Sequence, residues 1–266
     1  MHIHKYYAHK LKSISPNSVI KHHVLIRMAL EHASKMRMVR ENVADLVEKP
    51  KQQKYIASFY SQEEIIRLLE VIKDETIEIP AMFAVYFGLR RSEVVGVKWS
   101  AIDFQNKTLT INHKIVPVND DGTYTLYASN TLKNNSSYRS MPLDDSFYNY
   151  LVELKAKQEE NRTLYGNSYN REYQDYVCVN ALGDLITPNY ITKTFKRLLE
   201  KNDLRHIRFH ALRHSCASLL LSLGYPMKNI QMWLGHSSFN TTANIYAHID
   251  ASAKAEMMAG LSQALN

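Results

Sequence analysis

The sequence predicts a mainly α-helical protein with a small antiparallel β-sheet, an α+β fold divided into two domains. Helix start and stop signals recur along most of the 266 residues, whereas the alternation of apolar and polar residues that is typical of strands is concentrated in residues 107–143. Pro50 ends one helical segment and is followed by a basic linker, residues 51–58. We therefore expect a helical domain in residues 1–50 and a second domain in residues 59–266.

Charge and composition favour a nucleic-acid partner. The chain has 33 Lys and Arg against 26 Asp and Glu, a net charge of +7, which makes nucleic acid the first acidic partner to consider and an anionic membrane the second. No run reaches the roughly 18 apolar residues of a membrane helix, and the start MHIHKYYAHK lacks the apolar core of a signal peptide. Cys178 and Cys216 have no CxxC spacing. We expect a soluble, cytoplasmic protein without disulfides, in which Cys216 fills the core.

The amino-terminal domain is predicted to be helical. Residues 1–14 form a short basic helix, Ser15 and Pro16 start a long helix that runs to about Met38, and Asn42 caps a short helix that ends at Val47. One face of the long helix is apolar and consists of Val19, Ile26, Ala29, Leu30 and Ala33. With only about fifty residues, this domain is small for an independent core, so we expect it to be shortened or to depend on a partner.

The opposite face of the long helix is basic. It carries Lys21, His22, His23, Arg27, Lys35, Arg37 and Arg40, and the linker region adds Lys49, Lys51 and Lys54. These side chains could lie along a phosphate backbone, and the alternative is an ordinary solvated helix face.

Helices begin the second domain. Ser61 and Glu64 form a capping box that opens a helix to about Lys73. A helix over residues 79–87 ends at Gly88, which supplies a left-handed stop, and Ser92 is predicted to cap the next short helix. Arg90 then lies in a helix–helix turn, from which its side chain can point away from the core.

A three-stranded antiparallel sheet follows. KTLTINHKIV, TYTLYA and YRSMPL are the predicted strands, with a turn at NDDG and with Lys133 in the polar segment between the second strand and the third. DDSFYNYLVELKAKQEEN returns to helix, YVCVN is predicted to be a short buried strand, and Pro188 opens a helix to about Glu200.

The last third is predicted to be helical. A helix from His210 to Leu223 has an apolar face and stops at Gly224, and a helix from Pro226 to Leu234 is closed by Gly235. The apolar face is Leu212, Cys216, Leu219, Leu220 and Leu223. Thr241 or Thr242 caps a helix that carries Tyr246, and a short amphipathic helix with Met257, Met258 and Leu261 ends the chain.

Residues of this carboxy-terminal third can bind a phosphate. His210 and Arg213 are three apart in a helix and share a face, and a guanidinium fork beside an imidazole suits a phosphate. Each residue alone has an ordinary alternative: a structural role for this pair, a helix-end cap for His236, and packing for Tyr246. The combination is what points to function, because GLRRSE, a lysine within the β-region, HxLRH, LGH and a tyrosine follow one another in that order.

In these motifs the chain resembles the tyrosine recombinases, or phage integrases, especially those of phages and conjugative transposons. GLRRSEVVGVKWSAID is similar to the family's first arginine box, and HALRHSCASLLLSLG with IQMWLGHSSFNTTANIYAHI is similar to the second. The resemblance runs from about Ser13 to Tyr246 and implies a two-domain DNA clamp, with a helical core-binding domain and a catalytic domain. Against that pattern the amino-terminal domain is short, which makes it a truncated core-binding domain.

The resemblance also implies residue roles. Tyr246 would be the nucleophile, Arg90, Arg213 and His236 would hold the scissile phosphate, and His210 would complete their cradle. Glu93 would steady the arginine, and Lys133 would protonate the leaving 5′ oxygen, although Lys114 and Arg139 lie in the same predicted sheet. A tyrosine hydroxyl has a pKa near 10, so it needs a base or a strongly cationic pocket to attack phosphorus. Two arginines and polar histidines also stabilise charge on the equatorial oxygens.

The expected reaction gives a 3′-phosphotyrosyl DNA and a 5′ hydroxyl, so resealing needs neither ATP nor a metal cofactor. The expected partners are a double-stranded recombination site, further protomers in a tetramer on paired sites, and accessory DNA-bending proteins, with a nucleoid-associated location and no membrane. The tail after Tyr246 packs either on a neighbouring protomer or on its own domain.

Three alternatives remain open at the level of sequence. One is a DNA-binding module of the same fold without catalysis, and another is a type IB topoisomerase-like nicking and closing enzyme. The third is a zinc site at His206, His210 and His214 with Cys216 nearby, which lacks an HExxH glutamate and has Arg213 beside it to repel a cation.

Overall fold

The computed structural model describes residues 2–53, 58–121, 123–130, 138–237 and Ser262. The chain divides into two compact units, Met1–Ile56 and Ala57–Asn266. Helices dominate the described residues, and their strands form two small antiparallel sheets, so the predicted fold class is confirmed. None of the helices described is long and apolar enough to cross a lipid bilayer.

The described residues of the first unit form two helices and a short 3-10 turn. Helices α1 (His2–Lys10) and α2 (Pro16–Lys35) precede the turn Val43–Leu46. The predicted caps are present, since Ser15 accepts a hydrogen bond from the Ser18 amide and Asn42 accepts one from the Ala44 amide.

The predicted faces of α2 are partly wrong. His23, which we placed on the basic face, is buried, and its Nδ1 lies 2.6 Å from the Tyr7 hydroxyl of α1. Val19 is buried as predicted, but Ala29 is exposed, as are Val24, Leu25 and Met28. The packing of α1 on α2 selects which face is covered, and α2 alone does not reveal where α1 lies.

The second unit has seven helices among its described residues. They are α3 (Gln62–Val71), α4 (Glu78–Tyr86), α5 (Arg91–Val95), α6 (Asp145–Tyr165), α7 (Pro188–Lys201), α8 (Ala211–Ser222) and α9 (Met227–Leu234). The Ser61–Glu64 capping box forms, with the Ser61 amide donating to Glu64 Oε2 at 2.8 Å. Phe83, Phe147 and Phe195 are among the largest side chains buried in the common core.

The predicted cap of α5 is wrong. Arg90 occupies the position before the helix, and its amide donates to Glu93 Oε2 at 3.0 Å, whereas Ser92 lies inside the helix. A glutamate three residues after the N-cap residue supplies an acceptor for the N-cap amide, whatever side chain the N-cap residue has. A serine is therefore not needed at the start of this helix.

The strands form two sheets rather than one. β1 (Ile102–Asp103), β2 (Thr108–Ile111) and β5 (Arg139–Pro142) pair in the order β1-β2-β5, while β3 (Lys114–Asp120) and β4 (Thr123–Ser129) form a separate hairpin. The predicted strand KTLTINHKIV is therefore broken at Asn112 and His113. His113 is held by Asn130 and Tyr176, at 2.6 and 3.1 Å, so the break depends on contacts distant in sequence.

Two further expectations fail. YVCVN is not a strand: Val177 and Cys178 are buried, but the segment has only isolated bridges such as Val179 with Leu185. Leu223 is 62% exposed rather than part of the apolar face, because α8 ends at Ser222 before the turn at Gly224. Cys216, by contrast, is buried between α8 and α9 as predicted.

Gly88 sets the turn between α4 and α5. Its φ is +59°, in the left-handed region, and a Cβ added there would lie 2.2 Å from Leu234 Cδ2. We expect Gly88→Ala to lower the free energy of unfolding by about 2 to 4 kcal/mol, because it adds backbone strain and displaces Leu234.

Gly224→Ala is the matched control for Gly88→Ala in urea unfolding. Gly224 also has a positive φ, +82°, but a Cβ there would meet nothing within 4 Å. It should lose only the strain, about 1 kcal/mol. Equal losses in the two variants would show that the contact with Leu234 is unimportant.

Candidate active site

A buried carboxylate lies at the start of α5. Glu93 is 3% exposed, and its Oε1 accepts a hydrogen bond from Arg90 Nη1 at 2.6 Å. Its Oε2 accepts from the Arg90 amide at 3.0 Å and from Arg139 Nη2 at 3.2 Å. Burial alone would raise the pKa of Glu93, but the nearby Arg139, Arg90 and Arg213 outweigh it and hold this pKa below its ordinary value. The carboxylate is therefore ionised at neutral pH.

Arg90 joins the α5 turn to the end of α9. While Nη1 binds Glu93, Nη2 donates to the carbonyl of Gly235 at 3.0 Å. The side chain is 31% exposed. Its guanidinium is thus oriented by protein acceptors and still reaches solvent, which allows it to bind an anion.

Arg213 is more deeply buried, at 1% exposure, in α8. It donates from Nη1 to the carbonyl of Gly88 at 2.5 Å and from Nη2 to that of Leu234 at 2.7 Å. These acceptors are backbone oxygens, so they orient the cation without neutralising it. Burial, then the charge of Arg90, lowers the pKa of Arg213, yet a guanidinium remains protonated at neutral pH.

Three histidines lie within the field of these arginines. His236 follows Gly235 and is buried, His210 precedes α8 and is exposed, and the rings of His210 and His214 are 5.3 Å apart in an edge-to-face arrangement. Burial and then Arg213 and Arg90 lower the pKa of His236 to about 3. Although part of His210 is exposed, the protein around its ring displaces water, and this loss of hydration, then His214, Arg213 and Arg90, lowers the pKa of His210 as well. All are neutral at pH 7, and each can donate one N–H.

The electrostatic balance of this cluster is positive. The guanidiniums of Arg90, Arg139 and Arg213 face one carboxylate, that of Glu93, and the histidines add no charge. Such a site attracts an anion, and planar guanidinium donors suit a phosphate in particular.

A basic groove adjoins the cluster. A cavity of about 470 Å³ shares His210 with it and is lined by further basic side chains, Arg91, Lys196, His206 and Arg208. Arg91 is oriented by a hydrogen bond from its Nη1 to the Thr192 hydroxyl of α7. None of the described residues that line the groove is acidic, so it continues the positive potential away from the cluster.

The structure thus brings together Arg90, Glu93, His210, Arg213 and His236, all predicted site residues. Lys133 and Tyr246 lie outside the described residues. Within the described chain, no three His, Cys, Asp or Glu residues are grouped so as to hold a metal.

The residues predicted to contact DNA lie in the first unit. Lys21, Lys49 and Lys51 are exposed, and Lys54 lies outside the described residues. The other three have partners: His22 Nδ1 is 2.8 Å from the Tyr6 hydroxyl, Arg27 Nε is 2.5 Å from Asp45, and Lys35 Nζ is 3.5 Å from Glu31. The pairs of Arg27 with Asp45 and of Lys35 with Glu31 are exposed ion pairs, which are weak enough for a phosphate to displace the acidic partner.

Sequence reasoning missed two parts of the site. One is the set of carbonyls of Gly88, Leu234 and Gly235 that orient the arginines. The other is Arg139, considered only as an alternative to Lys133. Its signal was the alternation of YRSMPL, which places Arg139 on the same face of β5 as the buried Met141.

The lowered pKa of His236 predicts a pH dependence of stability. Its folded-state pKa of about 3 is below the ordinary value of 6.5, so the stability of the neutral form is fully present above pH 6.5 and is lost as pH falls towards 3. Between pH 6.5 and 5 the loss is about 2 kcal/mol. We expect His236→Asn to flatten urea-unfolding stability against pH by about this amount. The exposed His206→Asn is the control, and parallel slopes for wild type and His236→Asn would contradict the assignment.

Comparison with known proteins agrees with the motifs. The Phage integrase family matches residues 58–253. The tyrosine recombinase XerC-like protein of Caldanaerobacter subterraneus is 33% identical over 195 residues, 71% of this chain and 50% of that protein. Tyrosine recombinase XerC of Staphylococcus aureus is 26% identical over 212 residues, 75% of this chain and 59% of that protein. This chain therefore spans about half the length of the first relative.

Solved structures share the fold. The Tn1549 transposon integrase in complex with a circular intermediate DNA has a TM-score of 0.73 at 20% identity, covering 94% of this chain and 81% of that one. A lambda integrase dimer bound to a COC′ core site has a TM-score of 0.64 at 15% identity, covering 91% and 77%. The family match over most of the chain confirms the resemblance, and the chain belongs to the phage integrase family of tyrosine recombinases.

Proposed function

We propose that this chain is a site-specific DNA recombinase that cleaves and rejoins strands through a 3′-phosphotyrosyl intermediate. The observation that carries the proposal is the cluster of Arg90 and Arg213 around Glu93, with neutral His210 and His236 beside them. The cluster is cationic and pre-oriented, which is what a phosphodiester in the transition state of transfer requires.

The roles follow from exposure and bonding. Arg90 reaches solvent and donates to one non-bridging oxygen. Arg213, which two carbonyls hold at a more deeply buried position, supplies a second cation to the phosphate. The neutral histidines donate one hydrogen bond each, and Glu93 maintains the orientation of Arg90. This arrangement stabilises the charge that builds on the equatorial oxygens.

Tyr246 and Lys133 complete the proposed reaction. The Tyr246 oxygen attacks phosphorus and gives its proton to solvent water, the bond from phosphorus to the 5′ oxygen breaks, and the Lys133 ammonium protonates that leaving oxygen. The 5′ hydroxyl of a partner strand then attacks the phosphotyrosine and gives its proton to the neutral Lys133 amine, and the leaving Tyr246 oxygen takes a proton from water. One phosphodiester is exchanged for another, so the chemistry requires no ATP and no metal.

The partner we propose is a duplex recombination site. The basic groove beside His210 lies where a strand leaving the cluster could pass, and the exposed lysines of the first unit add phosphate contacts. The likeness to an integrase of a transposon favours integration or excision of a mobile element as the natural task. We further propose assembly into a tetramer on paired sites, accessory DNA-bending proteins and an association with the nucleoid.

A covalent trapping experiment tests this function. The protein is incubated with nicked duplexes that tile the DNA flanking its own gene, so that cleavage opposite a nick releases a short fragment and prevents religation. We expect a protein–DNA adduct that survives denaturing electrophoresis, with DNA attached through its 3′ phosphate. A DNA complex without any adduct would favour the non-catalytic alternative, and relaxation of supercoiled plasmid without strand exchange between two sites would favour the topoisomerase alternative.

A further inference from the structure

Arg139 is a third guanidinium of the cluster, and it contacts the carboxylate of Glu93. Its side chain is 7% exposed at the start of β5, an edge strand of the three-stranded sheet. Its Nη2 lies 3.2 Å from Glu93 Oε2. This contact gives Arg139 a route to the orientation of Arg90 through their shared partner Glu93.

The two oxygens of Glu93 are divided between two cations. Oε1 accepts from Arg90 Nη1 at 2.6 Å, and Oε2 accepts from Arg139 and from the Arg90 amide. The guanidinium of Arg90 thus binds the carboxylate through Nη1 only, and its Nη2 donates to the Gly235 carbonyl at 3.0 Å. The guanidinium therefore lies between Glu93 on one side and the Gly235 carbonyl on the other.

Loss of Arg139 would change that geometry. An arginine and a carboxylate prefer a two-pronged pairing, with two parallel N–H bonds to the two oxygens. Without Arg139, Oε2 would keep only the Arg90 amide as a donor, so it could also accept from a second terminal nitrogen of Arg90, which would draw Nη2 away from Gly235. The same change would also leave the buried carboxylate with one guanidinium fewer, so more of its negative charge would offset the positive charge of Arg90.

We propose that Arg139 is a positioning residue, which occupies one oxygen of Glu93 so that Arg90 stays directed at the scissile phosphate. This inference rests on the proposed function, since it adds a residue that orients the phosphate-binding Arg90 of that site. It assigns to the first strand after the β-hairpin a role in orienting an arginine of the helical α4–α5 turn.

Single-turnover cleavage of a nicked suicide duplex measures the effect. We expect Arg139→Gln to slow adduct formation about 10- to 100-fold at saturating DNA, while the dissociation constant for DNA stays within about twofold. Arg139→Lys, which keeps a cation beside Glu93, should recover much of the rate. Arg162→Gln is the control, because it removes an arginine from an exposed ion pair with Glu159. A wild-type rate for Arg139→Gln would overturn the inference.

A double-mutant cycle with Glu93→Gln separates positioning from a general loss of packing. The neutral amide no longer draws Arg90 into a two-pronged ion pair, so adding Arg139→Gln to Glu93→Gln should slow cleavage by less than about threefold. If instead the two losses multiply, Arg139 acts independently of Glu93 and the inference is wrong. Should Arg139→Gln be unfolded by circular dichroism, the same cycle with Arg139→Met, which also removes the cation but fills the buried position with an apolar chain, decides between these outcomes.

A readout without DNA chemistry keeps the two proposals apart. If the wild type forms no adduct, the proposed function fails, but thermal stabilisation by inorganic phosphate still reports the orientation of Arg90. Arg139→Gln should then require at least about fivefold more phosphate for the same rise in melting temperature. An unchanged phosphate dependence, or no phosphate effect on the wild type, would overturn the positioning role.

Discussion

Replacing Tyr246 by phenylalanine is expected to abolish the covalent adduct, with a loss of at least about 10⁴-fold in cleavage rate. Phenylalanine keeps the ring but removes the oxygen that would form the bond to phosphorus. The measurement is adduct yield on the nicked suicide duplex, together with DNA affinity by gel shift. Affinity should change less than about threefold, because the ring and the basic surfaces remain.

Tyr225→Phe is the matched control for the Tyr246 substitution, since Tyr225 is 51% exposed just after α8. Mass spectrometry of the protease-digested adduct should place the DNA on the peptide that contains Tyr246. An adduct of normal yield in the phenylalanine variant, or DNA on another tyrosine, would contradict the assignment of the nucleophile.

Arg213→Lys is expected to lower the cleavage rate by about 10² to 10⁴, although it preserves the charge. A lysine ammonium is a point charge and cannot reproduce the planar fork that donates to the Gly88 and Leu234 carbonyls while facing the phosphate. Losing those two bonds should also lower the free energy of unfolding by about 1 to 3 kcal/mol.

The same substitution at Arg197, which is exposed on α7, controls for a general effect of replacing arginine by lysine. Rates are compared at a temperature where urea unfolding shows both variants to be fully folded. Cleavage of Arg213→Lys within about threefold of wild type would show that charge alone suffices at this position, and the proposed donor geometry would then be wrong.

Local signals in the sequence predicted much of the site. The motif GLRRSE placed Arg90 beyond a glycine-ended helix, and the spacing of His210 and Arg213 placed both at the start of α8. These features depend on neighbours within a few residues, such as the left-handed turn at Gly88, so short-range rules for helix ends and periodicity are sufficient for them. The cap of α5 is an exception, because those rules favoured Ser92 whereas the Arg90 amide donates to Glu93.

The missed features depend on contacts between distant segments. The strand containing Ile111 stops because His113 turns to bind Asn130 and Tyr176, and the sequence around His113 continues to alternate as a strand would. The alternation of YRSMPL likewise indicates that Arg139 faces inward. Its partner Glu93, however, lies in a helix that precedes the β3–β4 hairpin in the sequence, whereas Arg139 follows the hairpin. Pairing between segments is not encoded in periodicity, so such contacts required the structure.

The carbonyl-bound arginines imply a conflict between robustness and activity. Arg90 and Arg213 repel each other, and burial of Arg213 removes water that would have screened its charge. A site of this kind weakens the fold while it is empty, and the incoming phosphodiester relieves the weakness. Selection for thermal stability alone would thus be expected to replace one of these cations by a neutral side chain that packs better and no longer binds the phosphate of the proposed substrate.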